Sequence, residues 1–267
     1  MHIERPDKKR KTPIVKQLTA RGLALALCLS GSTGIALSQE NTSFVDDFST
    51  FDKSRWFASD GWVNGKWQNC TWSKRQVALS DGVLKLHFVK QPFKERDYSC
   101  GEVQSQKRYH YGTYEARIKT GSGVGLNGAF FTYIGKPQHD EIDFEVLLQD
   151  TSKITVNTFV AGKAKHGESI DVPGGTDGQF NDYAFVWEES RMRWYVNGKL
   201  AHEVSSDDLP ANPQKIFVSI WGSDTMSEWL GTFKDPGAPV TLKVDRVAFT
   251  KLGEECQFPE SVACGLD

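Results

Sequence analysis

No stretch of the 267-residue chain sustains helical periodicity, so neither a helical bundle nor alternating strands and helices fits it. No apolar run approaches the ~20 residues of a membrane-spanning helix, and the run Gly22 to Leu29 is far shorter. The five cysteines include no Cys-x-x-Cys knuckle, which argues against structural zinc. Gly121-Ser122-Gly123 is followed by no Lys-Ser or Lys-Thr and opens no helix, so a phosphate-cradling loop is excluded. Internal repeats, low-complexity tracts and interdomain linkers are also missing. The Gly-rich pieces Gly121 to Gly125 and Gly174-Gly175 are too short to separate domains.

The N-terminus reads as a secretory leader. A basic segment from Arg5 to Arg21, the apolar Gly22 to Leu29 and the small-residue site Ala36-Leu37-Ser38 predict a signal peptide over 1–38 and a single domain over 39–267. Cys28 invites a lipoprotein reading, yet Leu27 stands where that signal needs a small residue. The expectation is export and release, to the extracellular space or the periplasm. From residue 39 the chain has 25 Lys/Arg against 32 Asp/Glu, which argues against nucleic acid or an anionic membrane as partner. Four cysteines remain there and allow three connectivities; Cys70 with Cys100 and Cys256 with Cys264 is the most economical pairing.

From Phe44 onward the segments read as strands. Leu84, Leu86 and Phe88 alternate with Lys85 and His87, as Tyr114, Ala116 and Ile118 do with Glu115, Arg117 and Lys119. Asp81-Gly82 and Asn197-Gly198 lie between such runs as hairpin turns. Many short strands with turn residues at this spacing predict an all-β sandwich of two antiparallel sheets. The apolar alternation of Val240 to Phe249 slips at Asp245-Arg246, predicting a bulge, and the segment from about 250 reads as a tail closed by a Cys256–Cys264 loop.

Chemistry concentrates in His139-Asp140-Glu141-Ile142-Asp143-Phe144-Glu145-Val146-Leu147. On a strand Glu141, Asp143 and Glu145 share one face, with Ile142, Phe144 and Val146 on the other. A half-buried strand with a charged outer face is the plain alternative, but like charges in a row repel. Glycoside hydrolysis needs a carboxylate nucleophile and a carboxylic acid proton donor, and Glu141 and Glu145 can be that pair if the strand curves, with Asp143 between them. Calcium or manganese is the rival use of carboxylates, yet a line of ligands does not wrap around an ion.

Asp140-Glu141-Ile142-Asp143-Phe144-Glu145 resembles the signature of glycoside hydrolase family 16, in the form that lichenases (endo-1,3-1,4-β-glucanases) carry. The resemblance extends through Asp60-Gly61-Trp62-Val63-Asn64-Gly65, Asn69-Cys70-Thr71-Trp72, Tyr111-Gly112-Thr113-Tyr114-Glu115, Phe130-Phe131-Thr132-Tyr133 and Glu228-Trp229-Leu230-Gly231. It implies a β-jelly roll whose concave face is the substrate cleft, a catalytic trio of Glu141, Asp143 and Glu145, and no cofactor for catalysis. It also implies a Cys70–Cys100 bridge, sugar contacts at Trp62, Asn64, Glu102, Tyr133 and Trp229, and a possible structural calcium at Asp245. Face parity adds Asn157 and Trp221 as cleft-lining positions. The chain departs from lichenases at His139, Gln104 and Ser219, where lichenases have Trp, Arg and Asn. His139 shares the Glu141 face and can hydrogen-bond a sugar or tune the acids.

The resulting expectation is a monomeric, secreted, retaining endo-β-glycanase cutting β-1,3/1,4-type linkages in a glucose-containing polysaccharide, foremost a succinoglycan-type exopolysaccharide. The alternatives are a lichenase acting on mixed-linkage β-glucan and a non-catalytic carbohydrate-binding protein with the same sandwich and aromatic cleft.

Overall fold

The computed structural model describes residues 42–256 and 260–264, and the expected leader lies outside them. The described chain forms two stacked sheets, as the alternation predicts. The larger has ten strands. Its main path runs Lys199–Ser205, Arg191–Val196, Asn181–Trp187, Gly112–Lys119, Val240–Lys251, Val83–Val89, Tyr98–Cys100, Cys70–Trp72. The smaller has eight, ordered Lys163–Ala164, Lys153–Val160, Asp140–Leu147, Leu126–Ile134, Lys215–Gly222, Glu102–Ser105, Trp56–Ala58, with Glu168–Asp171 also on Lys153–Val160. One pair departs from the antiparallel expectation: Cys70–Trp72 runs parallel to Tyr98–Cys100. The Cys70–Cys100 bridge, with Cα atoms 5.8 Å apart, joins these two short strands.

Both expected hairpins form. Asp81 and Gly82 have φ of 57° and 68°, and Asn197 and Gly198 have 50° and 75°. Two successive left-handed residues make the tight turn whose twist matches that of the flanking strands, which is why Asp-Gly and Asn-Gly suit these places. The phase slip at Asp245 is a register irregularity between Val244 and Arg246 against the strand Gly112–Lys119.

Apolar residues from the facing sides of both sheets meet in one core. Phe144, on the underside of the acid strand, stacks on Phe130 at 6.3 Å and reaches Tyr183 and Phe185 of the larger sheet at 5.4 and 6.3 Å. With Ile142 and Val146 also buried, the acid strand is anchored from below and its odd-numbered side chains must face outward. The tail docks on the far side of the larger sheet. Glu115 accepts hydrogen bonds from Ser261 Oγ and Val262 N at 2.7 Å and from Ala263 N at 3.2 Å, and Ala263 packs with Ala184, Val186 and Tyr195. The second bridge, Cys256–Cys264, closes this tail.

Candidate active site

The acid strand lies inside the smaller sheet, paired on both sides. Glu141 stands opposite Tyr133 and Phe159, Asp143 opposite Phe131 and Asn157, and Glu145 opposite Ala129 and Thr155. These rows continue onto Lys215–Gly222, where Phe217 faces Phe131 and Trp221 faces Asn127. Because every one of these positions has the same parity, the sheet presents them on one face, and that face is the floor of a cleft of about 780 Å³.

Glu141, Asp143 and Glu145 all line this cleft. Asp143 lies within hydrogen-bonding reach of Glu141. Two carboxyl groups can make such a bond only by sharing a proton, and Asp143 Oδ2 is buried without a hydrogen-bond partner among the described residues. Glu145 Oε1 accepts from Asn127 Nδ2 at 3.1 Å. Burial, reinforced by mutual repulsion, raises the trio. Glu141 is pushed up to about 8 by burial and then by the Glu145 charge, against the Asp143 hydrogen bond, and Glu145 to about 7 by burial against the Asn127 bond. Asp143 is raised well above the ordinary range too, by burial and then by both glutamates. All three carboxyls therefore hold their protons more readily than ordinary carboxylates. The Asp143 contact discriminates between the two glutamates, because a protonated Asp143 can donate to an ionised Glu141.

The start of the strand is fixed by Asp140, which is buried and accepts from Asn212 Nδ2 at 2.7 Å, Ala161 N at 3.2 Å and Ala211 N at 3.3 Å. His139 lines the cleft in a left-handed conformation, φ 56°, held by Gly135 O, which accepts from its N at 3.2 Å, and by Gly162 N, which donates to its O at 2.7 Å. A Cβ on Gly162 would lie 2.6 Å from the His139 ring, so glycine there lets the ring lie over the turn, edge-on to Tyr133 at 5.8 Å.

The sequence-predicted sugar contacts all border the cleft: Trp62, Asn64, Glu102, Tyr133, Asn157, Trp221 and Trp229. Asn64 Oδ1 accepts from Trp72 Nε1 at 3.0 Å, which orients the side-chain amide. Glu102 is buried, pushed up to about 7, and accepts from Ser59 Oγ at 2.5 Å. Trp221 lies between Trp67, 4.7 Å away, and Trp229, 6.0 Å away on the short helix Ser227–Leu230. Trp67 and Met226 also border the cleft and carry no strand parity that announces them. Phe131 and Phe217, stacked at 4.9 Å on the floor, do share the parity of the acids and were open to the same reasoning. Of the three departures from lichenases, Gln104 and His139 border the cleft, whereas Ser219, on the same face of the sheet opposite Ala129, is buried.

Asp245 is paired within the chain. Its carboxylate faces the Arg117 guanidinium, with Nε 3.4 Å away, and no group of three or more His, Cys, Asp or Glu converges for a metal among the described residues. The expected structural calcium there is without support. No helix among the described residues is long and apolar enough to cross a membrane.

The family model for glycosyl hydrolases family 16 matches residues 64–236. The chain is 58% identical over 229 residues to the endo-1,3-1,4-β-glycanase ExoK of Rhizobium meliloti, covering 84% of this chain and 85% of that protein. It is 33% identical over 231 residues to a β-glucanase of Bacillus subtilis, covering 85% of this chain and 94% of that protein. The Bacillus licheniformis β-glucanase structure superposes with a TM-score of 0.75 at 31% identity, covering 80% of this chain and 100% of the other. A lichenase from a mouse hindgut metagenome gives 0.76 at 31%, covering 79% and 100%.

Proposed function

The chain belongs to glycosyl hydrolase family 16 and is a glycosidase, and from that premise we propose a secreted, monomeric, retaining endo-1,3-1,4-β-glycanase that shortens a succinoglycan-type exopolysaccharide. The observation that carries this reading is the row of three buried, mutually coupled carboxyls on the floor of an open, aromatic-lined cleft. Export is supported by the leader-like N-terminus and by two disulfides, which persist in oxidising compartments. Family membership and the intact acid row leave the non-catalytic alternative without support.

In the proposed cycle Glu141 attacks the anomeric carbon as the carboxylate. The bond from that carbon to the leaving oxygen breaks, and Glu145 gives its proton to the departing oxygen. The product is a glycosyl ester on Glu141 and a shortened chain. Water then attacks the same carbon and loses its proton to Glu145, while the ester bond breaks and Glu141 leaves as carboxylate, with net retention. Asp143 donates its shared proton to Glu141 whenever Glu141 is ionised, stabilising it before attack and on departure. Flat sugar faces stack on Trp62, Trp221 and Trp229.

An open cleft admits a polymer in mid-chain. The viscosity of high-molecular-weight succinoglycan is expected to fall well before small sugars accumulate, with slower action on barley β-glucan at equal backbone concentration. Viscometry paired with sizing chromatography checks both. Faster cleavage of barley β-glucan would make the protein a mixed-linkage glucanase instead.

A further inference from the structure

A directed chain of side-chain hydrogen bonds runs along the cleft face of the smaller sheet and ends on Glu102. Lys215 Nζ donates to Gln104 Oε1 at 3.1 Å, Gln104 Nε2 donates to Ser59 Oγ at 3.3 Å, and Ser59 Oγ donates to Glu102 Oε1 at 2.5 Å. Strand pairing brings the four together. Gln104 stands opposite both Phe217 and Phe57, Lys215 and Ser59 lie two residues from these, and Ser59 N donates to Glu102 O at 3.0 Å. All four therefore share the parity of the face on which Glu102 and Gln104 border the cleft.

The sense of the chain is imposed from its far end. A lysine ammonium only donates, so the Gln104 amide turns its oxygen to Lys215 and its NH2 to Ser59, and the Ser59 hydroxyl proton is left for Glu102. An arginine, which lichenases carry at 104, has no acceptor and breaks the sequence at that point. Ser59 and Glu102 are buried, where successive hydrogen bonds polarise one another, and the first donor carries a charge. Glu102 Oε2 takes no hydrogen bond among the described residues. We propose that Ser59, Gln104 and Lys215 are positioning residues acting through Glu102: they engage Oε1 and hold Oε2 toward the cleft as the acceptor for a sugar hydroxyl. This role rests on the polysaccharide-cleaving reading above and adds a requirement to it. The sugar over Glu102 must bring a free hydroxyl, and one substituted at that oxygen is refused.

A double-mutant cycle tests whether the three residues act through Glu102. Initial rates are measured on succinoglycan or barley β-glucan, whichever the parent cuts faster. The proteins are the parent, Ser59→Ala, Gln104→Met, Lys215→Met and Lys215→Arg, and the same four substitutions combined with Glu102→Ala. Ser59→Ala and Gln104→Met are expected to raise KM at least tenfold and Lys215→Met at least threefold, each with kcat within twofold of the parent. Lys215→Arg, still a donor, should keep KM within twofold of the parent. In the Glu102→Ala background the same substitutions should change KM by less than twofold, because the group they position is gone. A role confined to folding would give equal factors in both backgrounds. That result, or an unchanged KM in Ser59→Ala, overturns the proposal. If Glu102→Ala fails to fold, a difference in KM of less than twofold between Lys215→Met and Lys215→Arg overturns it instead. Which polymer is cut faster decides the succinoglycan assignment separately, since the cycle is read on either one. A parent that cuts neither overturns both.

Discussion

Glu102 illustrates how one buried acid couples function to stability. Burial pushes its carboxyl up to about 7 from 4.5, against the hydrogen bond from Ser59. A group whose folded value is raised contributes most below its unfolded value, and that contribution is lost as pH climbs from about 4.5 through 7. Above that window the folded state holds a desolvated charge, costing up to about 3 kcal/mol by the usual conversion of about 1.4 kcal/mol per unit. Glu102→Gln is therefore expected to melt at a higher temperature than the parent at pH 8 and at nearly the same temperature near pH 4.5, while binding substrate more weakly. Calorimetry at the two pH values checks this, and a lower melting temperature at pH 8 would show that the charge is compensated. Such a cost is understandable only if the group serves the cleft. The residue type at 102 was legible in the sequence through family resemblance. Its burial, and hence its titration, was not.

At the scale of the element, the acid strand separates two jobs by parity. Even positions anchor it through Phe144 and its neighbours, and odd positions present the carboxyls. Glu141→Gln keeps that packing and removes the nucleophile, so turnover is expected to vanish with the fold intact. Activity within tenfold of the parent would count against the assignment. In Glu145→Ala, substrates with good leaving groups should still form the glycosyl ester, and azide should replace the activated water, yielding a β-glycosyl azide. Absence of that product, with rapid ester formation, would remove Glu145 from the acid/base role. Parity was readable from period-2 alternation, including for Phe131 and Phe217. The loop contributions of Trp67 and Met226, and the docking of the tail on Glu115, were not, because loops have no period and their contacts are long-range.

For the whole molecule, the Cys70–Cys100 bridge closes a loop spanning 30 residues of sequence. Chain-entropy arguments give such a closure about 3–4 kcal/mol. Both cysteines are buried, so reduction should be slow on the native protein and should lower the melting temperature once complete. An unchanged melting temperature with both thiols free would mean that the core alone holds these two strands. The cleft lies on the smaller sheet, whereas the tail docks on the larger one. Loss of the tail contacts should therefore affect stability before it affects catalysis.

By itself the sequence determined what repeats locally. Alternating burial, the Asp-Gly and Asn-Gly turns, the bulge at Asp245 and the shared face of Glu141, Asp143 and Glu145 all follow from the two-residue period of a strand and the sterics of left-handed turns. The tertiary structure alone decided what those faces meet. Register between distant strands sets Phe131 on Phe217 and Asp143 opposite Phe131 and Asn157, and gives Asp245 a guanidinium in place of a metal ion. Strand pairing between distant segments, desolvation and charge proximity depend on distances in space, and the order of residues along a chain does not encode those distances directly.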